Sequence, residues 1–361
     1  PATAVAAIAV AARHGILVKG SAFLEHLATI DSLVLDKTGT VTLGALRLAS
    51  ALPAPGVEAR ELLATAAALG AASRHPVSRA LAGVLTPAAA AEAVREMQGL
   101  GVVGTVSGEA GALGRPELLA ELGVPAPAPP PHDGPVAGAA RGGRFLGWLL
   151  LADEPRPEAC QALAVLRALG LGRQLLLTGD RDAVAERVAR FLGIGEVRAE
   201  VLPAQKLEAV LSQTRAGFRP LVVGDGINDA LALRAGAVGV AMGAAGTDVA
   251  LASADIVLMT SDLRRLGTAI RLSRRCRRTI HVNVALGLGW TLALVALAAT
   301  GALGLQGALI AAVLHNAGTL AVIANAGRLL RFDEVEAGQP VPTPGHVPGV
   351  APAMTPMPHS P

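Results

Sequence analysis

Asp36 stands directly before Lys37, Thr38, Gly39 and Thr40. A carboxylate can attack a phosphoryl group as a nucleophile, and a Lys-Thr-Gly-Thr turn suits phosphate oxygens. Read alone, the same residues could be an ordinary strand-to-turn junction with an exposed Asp. Three further stretches change that balance. Leu175-Leu176-Leu177 ends in Thr178-Gly179-Asp180, and Leu221-Val222-Val223 ends in Gly224-Asp225-Gly226-Ile227-Asn228-Asp229. Between them, Pro203-Ala204-Gln205-Lys206 opens a helical stretch with a cation in its first turn, where the helix dipole alone disfavours one. Phosphoryl transfer needs an in-line nucleophile, neutralised phosphate oxygens and a fixed metal, and these stretches hold the residue types for each.

The elements that must position them follow from the apolar runs. Leu33-Val34-Leu35, Leu175–Leu177 and Leu221–Val223 read as strands buried on both faces, with helices between them. Val238 to Ala241 and Ile256 to Leu258 read as two more. The alternation predicts an α/β fold with a doubly wound parallel sheet, which presents its ligand residues at the carboxyl ends of the strands.

This ordered set resembles the P-type ATPases, ion pumps phosphorylated on an aspartate, whose phosphorylation domain is similar to the haloacid-dehalogenase-like phosphotransferases. Ser73-Arg74-His75-Pro76 resembles the Ser-x-His-Pro element of the heavy-metal subfamily, and Gly99-Leu100-Gly101 its glycine pair. Gly15-Ile16-Leu17-Val18-Lys19-Gly20 fits the same subfamily. His-Pro and Gly-Leu-Gly are in themselves signals of a turn or a bulge. Their place between Asp36 and Thr178 is what gives them weight.

The resemblance implies roles. Asp36 takes the γ-phosphate of ATP as an aspartyl phosphate, within the turn of Lys37 and Thr38. Asp225 holds Mg²⁺ with a carboxylate oxygen of Asp36 and the carbonyl of Thr38, hard oxygen donors of the kind this ion prefers. Lys206 supplies a point charge, and Thr178 and Gly179 hydrogen-bond donors, to the transferring group. Asn228 and Asp229 orient the Mg²⁺ site, and Asp180 structures its loop or stands in the outer shell of the metal. His75, at the start of a helix opened by Pro76, contacts the adenine, and Gly99 and Gly101 let backbone approach the nucleotide. The subfamily usually carries a Glu five residues before this His and often another immediately before it. Here those positions are Gly70 and Arg74.

Composition agrees with a membrane protein without proving one. Hydrophobic residues make up 52% of the 361 and charged residues 16%, but much of the excess is alanine. The net charge of +3 is small, and its distribution says more. Arg264, Arg265, Arg271, Arg274, Arg275, Arg277 and Arg278 crowd a stretch just before an apolar run. With 2% aromatics and no Tyr, that arrangement reads as a membrane flank and not as a nucleic-acid surface. Cys160 and Cys276 have no metal-ligand spacing and read as cytosolic thiols. No secretory signal opens the chain, which begins at Pro1 inside a family segment and reads as a fragment.

The expected organisation runs as follows. Residues 1–20 are the end of a transmembrane helix and the passage into the cytoplasm; 30–44 and 149–263 are the two parts of the phosphorylation domain. An α+β nucleotide-binding domain, 45–148, is inserted between them, with helices over Glu61 to Leu69 and Pro76 to Val84 and a Pro-rich loop at Pro125 to Pro135. Asp153-Glu154-Pro155-Arg156-Pro157 resembles a hinge, followed by a helix from Pro157 to Leu169. Residues 264–281 form a basic juxtamembrane helix, 282–328 two transmembrane helices, and 333–361 a disordered tail. Arginines before the first span and Arg328 and Arg331 after the second put both ends in the cytoplasm. A buried helical hairpin in a soluble domain is the alternative on hydropathy alone.

His315-Asn316-Ala317-Gly318-Thr319, in the second span, resembles in placement the His-Glu-Gly-x-Thr element of some cobalt, iron or zinc-type pumps, with Asn316 for the Glu. His315 and Asn316 are therefore candidate ligands of a transported transition-metal cation, against a helix-packing role. The resemblance implies ATP-driven translocation of a heavy metal across the cell membrane, with lipid, an actuator domain and upstream helices as partners. A soluble haloacid-dehalogenase-like phosphatase and one half of a split pump are the alternatives.

Overall fold

The structure is a computed structural model and describes residues 2–85, 90–226, 229–243, 252–301 and 306–332. Helix α1 (Ala2–Arg13) leads through strand β1 (Ile16–Val18) and α2 (Ser21–Leu27) to β2 (Ser32–Asp36). After the turn at Lys37–Val41 come β3 (Thr42–Pro53), α3 (Ala59–Ala71), α4 (Pro76–Arg79), β4 (Ala91–Met97), β5 (Gly101–Val106) and β6 (Glu109–Gly114). Helix α5 (Pro116–Glu121), β7 (Val136–Arg141) and β8 (Arg144–Pro155) complete this part. The alternation resumes with α6 (Ala159–Ala168), β9 (Arg173–Leu177), α7 (Asp182–Leu192), β10 (Glu196–Arg198), α8 (Pro203–Arg215) and β11 (Pro220–Gly224). Then follow α9 (Ala230–Ala235), β12 (Val238–Met242), β13 (Ile256–Leu258) and two long helices, α10 (Arg264–Ala299) and α11 (Gly307–Gly327).

One sheet has the order β1-β13-β12-β11-β2-β9-β10 and is parallel except at its edge, where β1 runs antiparallel to β13. Period-two alternation sorts its side chains to two faces. Leu33, Leu35 and Val223 pack with Leu163 and Leu166 of α6, Val188 of α7 and Ile270 of α10. Val34, Leu175 and Val222 pack with Val210 of α8 and Leu233 of α9. Both faces are therefore covered, as a parallel sheet requires. The strands that precede the three motifs are neighbours: Leu35 lies opposite Val223 of β11, and Asp36 opposite Leu177 of β9.

The second sheet, β3-β8-β7-β6-β5-β4, is antiparallel throughout and carries α3 on its inner face through Leu62, Ala66 and Leu69. Its β3 and β8 are adjacent, pairing from Thr42 opposite Pro155 to Pro53 opposite Gly147. The insertion thus leaves and rejoins the parallel sheet on two hydrogen-bonded strands.

Three local expectations shift. The helix expected from Pro157 begins at Ala159, because the two flanking prolines hold the chain extended through Pro155. The helix expected over Pro76 to Val84 stops at Arg79. The basic stretch and the first apolar run form one unbroken helix, α10, whose first part, including Leu266, Ile270, Leu272 and Cys276, is built into the core of the parallel sheet. Beyond Asn283 most apolar side chains of α10 and α11 are bare, Leu288 at 60% exposure and Leu320 at 66%, with Ala326 near the end of α11 buried. A core hairpin would bury them, so this is a membrane hairpin. Within it, Trp290 Nε1 donates to the carbonyl of Leu314 at 2.8 Å. The expected tail lies outside the described residues.

Candidate active site

Asp36 ends β2 with 9% exposure, and Lys206 Nζ lies 2.5 Å from its Oδ1 and 2.7 Å from Asp229 Oδ1. Pro203 opens α8, and the Gln205 side chain accepts the free N–H of Leu202 at 2.7 Å, which sets the first turn from which Lys206 projects. Two carboxylates explain how a cation persists where the helix dipole opposes it. Burial, reinforced by Asp229 and Asp225, raises the Asp36 carboxyl to about 6 although Lys206 pulls it down. Burial also raises Asp229. It works against the charge of Lys206, but Asp36 and Asp229 outweigh it and the ammonium pKa is raised.

Asp36, Asp225 and Asp229 set three carboxylates against the cation of Lys206, all close enough to perturb one another. Asp229 Oδ2 is buried without a hydrogen-bond partner among the described residues, and it leaves no room for a Cβ on Gly224, which would lie 2.8 Å away. Across from it the turn at Gly39 (φ +73°) faces Asp225, whose Cβ would be 3.6 Å from a Cβ at Gly39. Excess negative charge and an orphaned carboxylate oxygen fit a hard divalent cation. Among the described residues no three acidic, His or Cys groups stand together so as to hold a metal ion by themselves.

The turn after Asp36 is held from outside. Arg156 donates from Nε to the carbonyl of Thr40 (2.7 Å) and from a terminal nitrogen to that of Gly39 (2.9 Å). The Thr42 hydroxyl lies 2.9 Å from the carbonyl of Lys37 and 2.6 Å from Asp153 Oδ2, with one proton to donate between them. Lys37 is buried and paired with Asp180 (2.5 Å), with Asp153 at 3.7 Å. It thus ties the turn after Asp36 to the Thr178–Asp180 loop. The N–H of Asp180 also donates to Thr178 Oγ1 at 3.1 Å. Lys37, Thr38, Gly179 and Asp180 line a cleft of about 800 Å³ that continues to Gly134 and Pro135, in the loop that leads into β7 of the insertion.

A separate cavity of about 440 Å³ in the insertion is lined by His75, Gln98, Gly99, Gly101 and Arg115 among others. Pro76 is the first residue of α4, so His75 sits at that helix's entrance. The two glycines differ. Gly99 (φ +75°) has open space where a side chain would be, whereas a Cβ on Gly101 would lie 2.3 Å from the carbonyl of Leu113. Gly101 is demanded by strand packing as well as by anything that binds there. Gly70 has a similar cause: a Cβ there would lie 2.4 Å from the carbonyl of Ser78, so no carboxylate fits at that position.

Residues 30–236 match the haloacid dehalogenase-like hydrolase family. The chain belongs to that family. Within this family it is 38% identical over 333 residues to a probable cobalt/nickel-exporting P-type ATPase of Mycobacterium tuberculosis, covering 90% of this chain and 50% of the relative. It is 38% identical over 341 residues to a manganese-exporting P-type ATPase of the same species, covering 91% and 47%. A crystal structure of a zinc-transporting PIB-type ATPase superposes with a TM-score of 0.76 at 35% identity, over 92% of this chain and 55% of the other. This haloacid dehalogenase-like chain therefore has the sequence and fold of the carboxyl-terminal catalytic region of heavy-metal P-type ATPases, and spans about half the length of these relatives.

In this P-type ATPase region the structure brings Asp36, Asp225, Asp229 and Lys206 together, and gathers His75, Gly99 and Gly101 around one cavity. Asn228 lies outside the described residues. His315 lines a groove of about 470 Å³ with Thr3, Asn283, Thr291 and Thr319, whereas Asn316 is not among the lining residues. The sequence placed Arg156 in the hinge element without a role of its own, and the Asp229–Lys206 pair left no sequence signal. The sequence signal for a role of Arg156 was its place between two prolines; the structure adds that it is almost fully buried, at 7% exposure.

Proposed function

We propose that this chain is the catalytic part of an ATP-driven transporter of a transition-metal cation that works through an aspartyl phosphate on Asp36. The observation that carries this reading is Lys206 held between Asp36 and Asp229 at the carboxyl ends of adjacent parallel strands. Lys206 occupies Oδ1 of Asp36 and leaves Oδ2 for attack on the γ-phosphorus of ATP. A bond forms from that oxygen to phosphorus, the bond to the ADP oxygen breaks, and ADP departs with the electron pair. Lys206 stays in place to offset charge on the transferring group, a contribution that is largest where water is excluded.

Asp36, the carbonyl of Thr38 and Asp225 would hold Mg²⁺, and Asn228 and Asp229 would orient the site and its waters. When bound, the ion neutralises phosphate oxygens. ATP would sit with its base near His75 and Gly99, and the paired strands β3 and β8 are the hinge that brings its phosphates to Asp36. The relatives differ in metal, cobalt/nickel, manganese and zinc, at similar identity, which supports a transition-metal cation as the transported substrate and no finer choice. In a multi-pass protein of the cell membrane, upstream helices would cover the bare faces of α10 and α11, and an actuator domain would hydrolyse the aspartyl phosphate.

The test is incubation of the chain with radiolabelled ATP and Mg²⁺, an acid quench and hydroxylamine treatment, beside Asp36→Asn. The expected result is an acid-stable, hydroxylamine-sensitive label that is absent from the variant. A label retained in the variant would mean another nucleophile.

A further inference from the structure

The segment that carries His75 is fixed at one point to the strand that leads into Gly99, and that point is Glu96. Glu96 is the next-to-last residue of β4, three positions ahead of Gly99. Its Oε1 accepts hydrogen bonds from Ser73 Oγ at 3.0 Å and from the backbone N–H of Arg74 at 2.6 Å. Ser73 Oγ in turn accepts the backbone N–H of His75 at 3.1 Å. The three groups form a relay, Glu96 to Ser73 to His75, in which each bond polarises the next. Ser73 is buried, so its hydroxyl depends on this acceptor, while the Glu96 side chain is open to solvent along the cavity wall that it shares with His75 and Gly99. Hydrogen bonds from Arg74 and Ser73 hold the Glu96 carboxyl below its ordinary value, which keeps it an acceptor near neutral pH.

Two cavity walls separated in sequence are thereby locked in one arrangement before any ligand arrives. A nucleotide base inserted between His75 and Gly99 needs that arrangement, and an untethered His75 loop would have to be ordered at the expense of affinity. We infer that Glu96 is the positioning residue of the adenine-nucleotide pocket, acting through Ser73 on His75. The inference rests on the reading of this cavity as the ATP site. Its effect falls on binding and not on phosphoryl transfer, because Asp36 ends a strand of the parallel sheet and Lys206 projects from α8 packed on that sheet, apart from the sheet that carries Glu96.

The test measures ATP affinity of the full chain by calorimetry for the native protein, E96A, E96Q, S73A, H75A and the double variant H75A/E96A, with phosphorylation at saturating ATP alongside. Loss of two charge-assisted hydrogen bonds should weaken ATP binding about tenfold in E96A. E96Q, whose amide oxygen still accepts both bonds, should stay within about threefold, and S73A, which cuts the relay but keeps the Arg74 bond, should fall between. Phosphorylation at saturating ATP should be unchanged in E96A. In the H75A background E96A should cost nothing more, since both act at one point. Native affinity in E96A, or losses that add in full, would overturn the inference while leaving the pocket as the ATP site if H75A alone weakens binding. Native affinity in H75A would remove the pocket reading and the inference together. Glu96 is exposed, so its truncation leaves no cavity, and melting of E96A near the native temperature verifies that the fold is intact.

Discussion

Lys206 meets Asp36 across 170 residues of sequence, 2.5 Å from Nζ to Oδ1, and shares the same ammonium with Asp229 at 2.7 Å. The side chains of Lys206 and Asp36 are each 10% exposed, and that of Asp229 is 3% exposed. Removing the cation leaves two buried carboxylates facing each other without an offset. Lys206→Met should therefore lower the unfolding free energy of the metal-free chain by about 3 kcal/mol or more, as breaking a buried pair does. It should also abolish labelling by ATP. Urea denaturation in EDTA and the acid-quench assay measure the two effects. Lys206→Arg should not restore labelling, because a planar fork does not replace a compact ammonium between two oxygens.

The same burial predicts a pH dependence. The Asp36 carboxyl is raised from 3.8 to about 6, so between those values the folded chain binds more protons than the unfolded one. Its contribution to stability is present below pH 3.8 and is lost as pH rises through about 6. Metal-free protein should thus lose stability over that window as pH rises, and Asp36→Asn should flatten the slope. Denaturation midpoints taken across the window at constant ionic strength decide it, and an equal slope in the variant would assign the effect elsewhere.

Arg156 is the outside clamp on the turn that carries Gly39 and Thr40. Arg156→Ala leaves two carbonyls without their donors and a hole where a buried guanidinium stood. The expected cost is about 2–3 kcal/mol in stability, with a fall of at least tenfold in the phosphorylation rate, because the turn no longer holds Thr38 beside Asp36. Arg156→Lys should recover part of the stability and little of the rate, since one ammonium cannot reproduce the fork. Rapid-quench kinetics beside thermal melts separate the two.

The parallel core was legible in the sequence because its strands are apolar triplets, each ending in a polar motif. Leu33–Leu35, Leu175–Leu177 and Leu221–Val223 became neighbouring strands, and their ends put Asp36, Thr178 and Asp225 on one edge of the sheet. Pairings between charged residues were not legible, because charge leaves no periodic trace. That Lys206 selects Asp229 as well as Asp36, or that Lys37 is taken up by Asp180, depends on which loops lie side by side. Gly70 shows the same limit from the other side. Its lack of a side chain reads as a departure from a motif until the close approach of the Ser78 carbonyl supplies a packing reason.

The catalytic sheet meets the membrane helices at a junction tied by polar side chains. Asn283 of α10 donates to Thr3 Oγ1 at 3.1 Å and accepts from Asn325 Nδ2 at 2.7 Å, so one amide joins α1, α10 and α11. Two turns earlier on α10, Cys276 is buried against the carbonyl of Thr3, and burial pushes its thiol up to about 11. Native Cys276 should accordingly resist a water-soluble maleimide at pH 8, as an inaccessible neutral thiol. Asn283→Leu removes both bonds and strands two polar groups, at about 1–3 kcal/mol each, where α1 meets the hairpin. Because α1 runs directly into β1 and on to the strand of Asp36, loosening it should free Cys276 for labelling while Asp36 still accepts phosphate. Faster labelling of Cys276 in that variant, in a Cys160→Ser background, would show that the amide holds α1 against α10. Labelling at the native rate would show that apolar packing alone does so.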